Sequence, residues 1–411
     1  MKLWAVMIGA LLFVVLCAGC QPNSNDDDST DDDISDDDAD DDVDDDADDD
    51  IDDDATPTDD DSTPPVDDDT TPTDDDIDDE VDDDVDDDSD DDIDDDTIDD
   101  DVVDDDTSTK SDIYAVGGNG CAAIVHYDGS SWSPIDNLPC YNWLSGVWGT
   151  SPNDVFAVGS VNRILHYDGV SWDAMQAPEP GDFLFSVWGT SHSDVYAAGG
   201  SAFLHYDGIS WTSMNTGFDG DHMPIWGAST TDFFVGSWGI GKWVIFHYLD
   251  GNWFKMEGDV YASRDDPVGN LIEITAIWGT SQSDVFAVGG DLYDRSIILH
   301  YDGFSWSIVQ QGAEAFLTGV WGSSSSDVFA VGMASLMKGA ILHYDGQSWT
   351  FMEDPTPENF LAGVWGVSST DVYAVGWNGT ILHYDGISWT PMNSGTTEGL
   401  NGIWGFVTNS E

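Results

Sequence analysis

Nine histidines, four cysteines and eighty-four carboxylates give this 411-residue chain ample means to bind a metal or move protons. Seven of the histidines, however, open one recurring phrase, His-Tyr-Asp-Gly or a near copy, at His126, His166, His205, His247, His300, His343 and His383. A second anchor, Trp-Gly, falls at Trp148, Trp188, Trp226, Trp278, Trp321, Trp365 and Trp404. Residues copied at intervals of roughly 40 describe a building unit before they describe a reaction centre. Ser-His-Asp chemistry needs one constellation that stands apart, and every such set here recurs. His192 and His222 lie outside the repeats, with no motif around them.

The elements that must carry these residues are β throughout. In the copy from Leu361 to Met392, the runs LAGVWG, DVYAVG, TILHY and SWTPM (strands a to d) are separated by Gly, Asp, Asn and Ser, and no run has helical periodicity. Asp385-Gly386 marks a tight turn between c and d. Four antiparallel strands in seven copies predict an all-β, seven-bladed β-propeller over 111–411. The first copy begins at Ser111 without a strand a, and Leu400–Gly405 is a strand a with nothing after it. The C-terminal strand is therefore expected to complete the first blade and close the ring. Blades radiate, so equivalent histidines cannot converge on one ion. Each is expected to hydrogen-bond within its own blade, to the Asp that opens strand b, as at Asp327 and Asp371. Fourteen of the nineteen Trp occupy the Trp-Gly and Ser-Trp positions and are expected to fill the space between blades. No metal site, cofactor or catalytic residue is expected.

Departures from the repeat are more informative. Alternating strands put the a–b and c–d turns on one face of the disc and the b–c and d–a connections on the other. Trp143, Trp238, Trp243 and Trp377 fall in or beside connections of the second face. So do Arg163, Lys242, Arg264, Arg295 and Lys338, five of the seven basic residues after the acidic tract. The longest departures are Glu257–Glu273, Gly290–Ser296 and Gly332–Gly339, all expected as loops. This face is the expected recognition surface, offering aromatic platforms and cations to a glycan or to an envelope or extracellular protein. Packing of these residues within their own loops is the alternative.

An apolar run from Leu3 to Gly19 reads as an export signal. Leu16-Cys17-Ala18-Gly19-Cys20 resembles the bacterial lipobox, with Cys17 where Leu is usual. That resemblance implies removal of 1–19 and a lipid on Cys20, and Gln21 implies sorting to the outer membrane, on its periplasmic or outer side. An ordinary cleaved signal peptide is the alternative. Residues 20–110 read as a linker in which Asp26–Asp106 holds 51 acidic residues and no basic one. Neighbouring charges lie within a Debye length of about 8 to 10 Å, so the tract is expected to stay disordered and extended, a stalk of up to about 290 Å. It has no Gly and no Ca²⁺-loop pattern, so only weak, diffuse Ca²⁺ association is expected. The net charge of −76 disfavours nucleic acid, and the head is expected to be monomeric. Cys121 and Cys140 are expected near each other across the open end of the first hairpin, as a disulfide or as two unpaired thiols.

The VWGTSxxDVFAVG…ILHYDGxSW repeats resemble those of exported bacterial propellers grouped with BNR/Asp-box, WD40-like, YVTN and photosystem-assembly-factor-like repeats, over about Asp112 to Val407. The Asp-box runs S-x-D-x-G-x-T-W, whereas Asp168-Gly169-Val170-Ser171-Trp172 is one residue shorter, which separates the chain from the sialidase type. The resemblance implies the fold and leaves function open. Sialidase-like hydrolysis would need an arginine cluster around the channel, and Arg163, Arg264 and Arg295 are the only arginines, none on an inner strand. The expected role is a surface-displayed binding or adhesion module. The alternatives are a secreted glycoside hydrolase or lyase on the same scaffold, or an assembly factor for envelope proteins.

Overall fold

The computed structural model describes residues 109–138, 143–160, 163–178, 183–217, 224–260 and 271–409. The export signal, Cys20, the Asp-rich linker, Cys140, His222 and Arg264 lie outside them, and so does any pairing of Cys140 with the exposed Cys121.

Each copy folds as its alternating apolar residues require. In blade 2, strands Leu144–Ser151 (a), Asp154–Gly159 (b), Arg163–Tyr167 (c) and Trp172–Met175 (d) pair antiparallel in sequence order. Strand b lies between two strands and two blades, so Val155, Phe156, Ala157 and Val158 are wholly buried. Blades 3 and 7 repeat this order. Blades 4 to 6 run together into one longer sheet path. Strand b of blade 4 (Asp232–Ile240) extends past its own blade and pairs Trp238 with Glu273, on strand a of blade 5 (Leu271–Ser281). One strand, Trp306–Ser324, serves as d of blade 5 and a of blade 6.

The ring closes as the sequence predicts. The last strand, Leu400–Asn409, pairs antiparallel with Thr109–Gly117, setting Gly405 opposite Ile113 and completing blade 1 in the order a-b-c-d. Asn401 Nδ2 donates to the Leu144 carbonyl of blade 2 at 2.7 Å, linking this blade to its neighbour.

The seams explain why Gly follows Trp in five of the seven anchors. A Cβ added to Gly189, Gly279, Gly322, Gly366 or Gly405 would lie 2.6 to 2.8 Å from the indole of Trp148, Trp226, Trp278, Trp321 or Trp365, on the preceding blade. Each of these indoles thus lies over a glycine of the next blade, at contact distances that leave no room for a methyl group.

The inserts in blades 5 and 6 correct the loop reading. Gly290 pairs with Ser296 and Ala334 with Lys338, so the extra residues lengthen a hairpin and leave three-residue turns at 292–294 and Ser335–Met337. Pairing wins because it satisfies backbone donors and acceptors that a loose loop would leave to solvent. After blade 4, strand d (Asn252–Asp259) likewise carries pairing into the expected loop from Glu257.

Gly366→Ala should cost about 1 to 3 kcal/mol by overpacking against Trp321, read as a lower denaturant midpoint. Gly363→Ala, whose nearest neighbours would be 3.2 Å away, should lose less.

Candidate functional site

The copied polar residues are structural. In all seven blades the strand c His places Nε2 at 2.7 to 2.8 Å from Oδ1 of the strand b Asp, which opens that strand in every blade but the first. Each imidazole also packs on the aromatic residue opposite it on strand b, closest at His247 and Phe234, with ring centres 4.2 Å apart. In the c–d turn, Asp168 Oδ1 accepts the backbone N–H of Val170 and Ser171 at 2.9 Å, while Gly169 holds a φ of 90°. The same turn forms at Asp128, Asp207, Asp302, Asp345 and Asp385. These hydrogen bonds, led by the Ser130 side chain at Asp128 and by backbone N–H groups elsewhere, hold all six carboxyls below the usual range.

One copy departs from this pattern. At Asp154 a second imidazole joins from the next blade, with His192 Nδ1 at 2.8 Å from the same Oδ1. The seven repeat histidines stay apart as expected; the second imidazole here is His192, which lies outside the repeat and reaches across the seam from a turn.

Strand a of every blade contributes to a central cavity of about 210 Å³, lined among others by Gly146, Ser186, Thr275, Thr318, Gly363 and Asn401. Its lining includes no carboxylate, imidazole, amine or guanidinium. The Thr275 and Thr318 hydroxyls donate to the Leu317 and Leu361 carbonyls of the following blades, at 2.7 and 2.9 Å. Polar atoms of this wall therefore tie blades together.

The b–c side of the disc holds the scarce cations in a regular pattern. Arg163, Lys242, Arg295 and Lys338 each occupy the first position of a strand c, in blades 2, 4, 5 and 6. In blades 4 to 6 an exposed apolar residue stands two positions before that cation: Ile240 is 65%, Tyr293 63% and Leu336 89% exposed. Leu336 and Met337 hold φ of 68° and 62°, a region that costs a non-glycine residue about 1 to 2 kcal/mol.

Blade 5 fixes its turn most firmly. Arg295 Nε donates to the buried Asp291 Oδ2 at 2.6 Å, and Asp291 Oδ1 accepts the N–H of Tyr293 and of Arg295 at 2.9 and 3.0 Å. The guanidinium lies 5.3 Å from the Tyr293 ring centre, within cation–π range. Burial, helped by the Asp291 charge, raises the Asp294 carboxyl. A cavity of about 120 Å³ opens between this turn and blade 4, lined by Gly241, Val260, Ile272, Asp291, Arg295 and Gln311. In blade 4, Lys242 and Lys255 each sit 2.7 Å from Glu257, and their hydrogen bonds hold its carboxyl down to about 2. Lys338 is exposed at the start of its strand.

The odd tryptophans do not form one platform. Trp243 is only 6% exposed and packs in the core, its ring covering Gly258. Trp238 lies within strand b of blade 4, its indole Nε1 buried without a hydrogen-bond partner. Trp143 stacks on Phe183 with ring centres 5.7 Å apart, and Trp377 meets Phe360 edge-on at 5.6 Å, both half-buried. Arg163 stands in blade 2, apart from the run of three, and Arg264 is outside the described residues. The apolar tips went unnoticed in the sequence, although the residues added between Gly290 and Arg295 and between Gly332 and Lys338 mark them.

The fold defines the class as a seven-bladed β-propeller. No protein-family model matches the sequence, and no curated protein matches it. Among solved structures, a protein from Lactobacillus plantarum superposes with a TM-score of 0.54 at 10% identity, covering 72% of this chain and 99% of that one. YCF48 bound to D1 peptide superposes with a TM-score of 0.50 at 14% identity, over 67% and 88% of the two chains. The WD40 β-propeller domain of Doa1 reaches 0.46 at 11% identity, over 69% and 88%. At these identities the likeness is one of fold.

The turn carboxyls set an acid limit. Their folded values lie below the ordinary one near 3.9, so as pH falls the unfolded chain takes up protons first. Their contribution is fully present above that range and is lost as pH drops through the depressed folded values. Thermal scans by circular dichroism should show a melting temperature nearly constant from about pH 7 to 5 and falling steeply below about 4.

Proposed function

We propose that the protein is a lipid-anchored interaction module of the outer membrane, whose propeller receives an extended segment of a partner protein on the b–c rim of blades 4 to 6. The observation that carries this reading is the repeated arrangement of an exposed apolar tip beside a cation, at Ile240 with Lys242, Tyr293 with Arg295 and Leu336 with Lys338. Apolar tips supply contact area, and Lys338, exposed beside Leu336, favours a carboxylate-bearing partner, while Lys242 and Arg295 are engaged by Glu257 and Asp291. Binding and catalytic positions concentrate on connections held by a rigid scaffold, and these hairpins depart furthest from the copied unit. YCF48, solved with D1 peptide bound, is a propeller neighbour that takes a peptide, which supports a protein partner by analogy of fold.

A glycan reader would favour flat, open aromatic platforms, whereas Trp243 is buried and Trp143 and Trp377 are each paired with a phenylalanine. An assembly factor for envelope proteins is one form of the same activity. Hydrolysis or lysis at the channel has no acid–base group among the cavity-lining residues to assign to it. The lipid on Cys20 and the Asp-rich stalk would hold the head away from the membrane and discourage its self-association.

An array of envelope proteins, their overlapping peptides and glycans, probed with the full-length chain, tests this. Tyr293→Ser combined with Leu336→Ser should weaken binding about tenfold or more, a loss of about 1.4 kcal/mol. Ile209→Ser combined with Ile387→Ser, on c–d turns of the other face, should leave it intact. Loss on the second pair alone, or no loss on the first, would contradict the reading.

A further inference from the structure

We propose that Asp154, His166 and His192 form a binding site for a divalent transition-metal ion of the Zn²⁺ type, bridging blades 2 and 3. The site lies on the face opposite the b–c rim and is independent of the function proposed above. One atom from each residue lies within 4.8 Å of the other two. His166 Nε2 and His192 Nδ1 stand 2.7 and 2.8 Å from the same oxygen, Asp154 Oδ1. Asp154 begins strand b, His166 lies opposite on strand c, and His192 comes from the a–b turn of blade 3, 38 residues beyond Asp154. Two imidazoles and a carboxylate match the nitrogen and oxygen set that Zn²⁺ takes with three protein ligands and an open position.

The surroundings hold these ligands as a metal site requires. The Thr150 hydroxyl donates to Asp154 Oδ2, which leaves Oδ1 for the ion. Phe156 packs on the His166 ring at 4.5 Å and fixes its plane. Burial works to raise the Asp154 carboxyl, but hydrogen bonds from Thr150, His166 and His192 outweigh it, so the group is held below its usual range and carries charge. Ligand atoms in a tetrahedral shell sit about 3.4 Å apart, so each imidazole nitrogen has to draw back from Asp154 Oδ1 by about 0.6 to 0.7 Å. His192 is 56% exposed on a turn and can make that movement, with solvent at hand to fill the open position.

The other six blades argue that the cluster is more than the structural pair. At the place of His192 five of them carry Pro152, Thr230, Gln282, Ser325 and Ser369, and blade 1, whose strands a and b come from separate parts of the chain, has no a–b turn. Imidazole selects Zn²⁺, Cu²⁺ or Ni²⁺ over Ca²⁺ and Mg²⁺, which prefer all-oxygen shells.

The test uses the full-length protein without a histidine tag, in millimolar Mg²⁺ to occupy the Asp-rich tract. Zn²⁺ affinity is measured against a chromophoric chelator, and Cu²⁺ at one equivalent is examined by electron paramagnetic resonance for coupling to ligand nitrogen. The wild type should take up one Zn²⁺ competitively and show coupling to two nitrogens. His192→Ala should weaken Zn²⁺ at least tenfold and lose one nitrogen, while His205→Ala, which removes an ordinary His–Asp pair, should retain both properties. Equal Zn²⁺ affinity in wild type and His192→Ala, or Cu²⁺ without nitrogen coupling in the wild type, would overturn the proposal. A melting temperature lowered equally by His192→Ala with and without Zn²⁺ would also overturn it, reducing His192 to a hydrogen bond between blades.

Discussion

An indole of one blade lying over a glycine of the next is the contact on which the ring depends. Trp321 over Gly366 and Trp365 over Gly405 show its two requirements, a large flat ring and a neighbour with no side chain. Neither residue can change alone, because a smaller ring leaves a void and a larger neighbour collides. That seam recurs at five of the seven junctions, the closing one between Trp365 and Gly405 included. The terminal strand Leu400–Asn409 completes blade 1 by backbone pairing, supported by the Asn401 bond to blade 2.

A scaffold copied in this way separates what supports from what varies. The His–Asp pairs and the Asp-Gly turns satisfy buried or crowded polar groups in every blade, and their regularity removes them from consideration as a single reaction centre. The b–c hairpins accept added residues, and in blade 4 the lengthened strand pairs across the seam with strand a of blade 5. Blades 4 to 6 use that freedom, with longer strands and apolar tips, and blade 5 locks its tip through Asp291, Tyr293 and Arg295. The opposite face stays close to the repeat, and its exception is a single imidazole, His192, that reaches its neighbour.

The blade count, the closure by the last strand and the His–Asp pairing were legible because each is written several times in the sequence. What was written once was harder. Trp238 and Trp243 stand outside the consensus and read as loop residues, yet strand pairing continues through both and buries Trp243. Pairing of Gly290 with Ser296 likewise turns an expected loop into a hairpin, since length alone does not say whether an insert pairs with itself. His192 had no motif beside it because its partners are nearly one repeat away, at Asp154 and His166. Contacts at that spacing are the signature of a seam. Surveying each blade's turn residues against the preceding blade would have revealed the cluster.

Site-specific photocrosslinking distinguishes the proposed rim of blades 4 to 6 from the opposite face as the surface that meets a partner. A photoreactive amino acid is placed at Tyr293 or, on the other face, at Ile209 in the full-length chain, and the producing cells are irradiated. Recognition at the rim gives a discrete crosslinked species from position 293 that excess unmodified protein competes away, and none from position 209. A competed species from position 209 and none from position 293 would place recognition on the copied face and contradict the proposal.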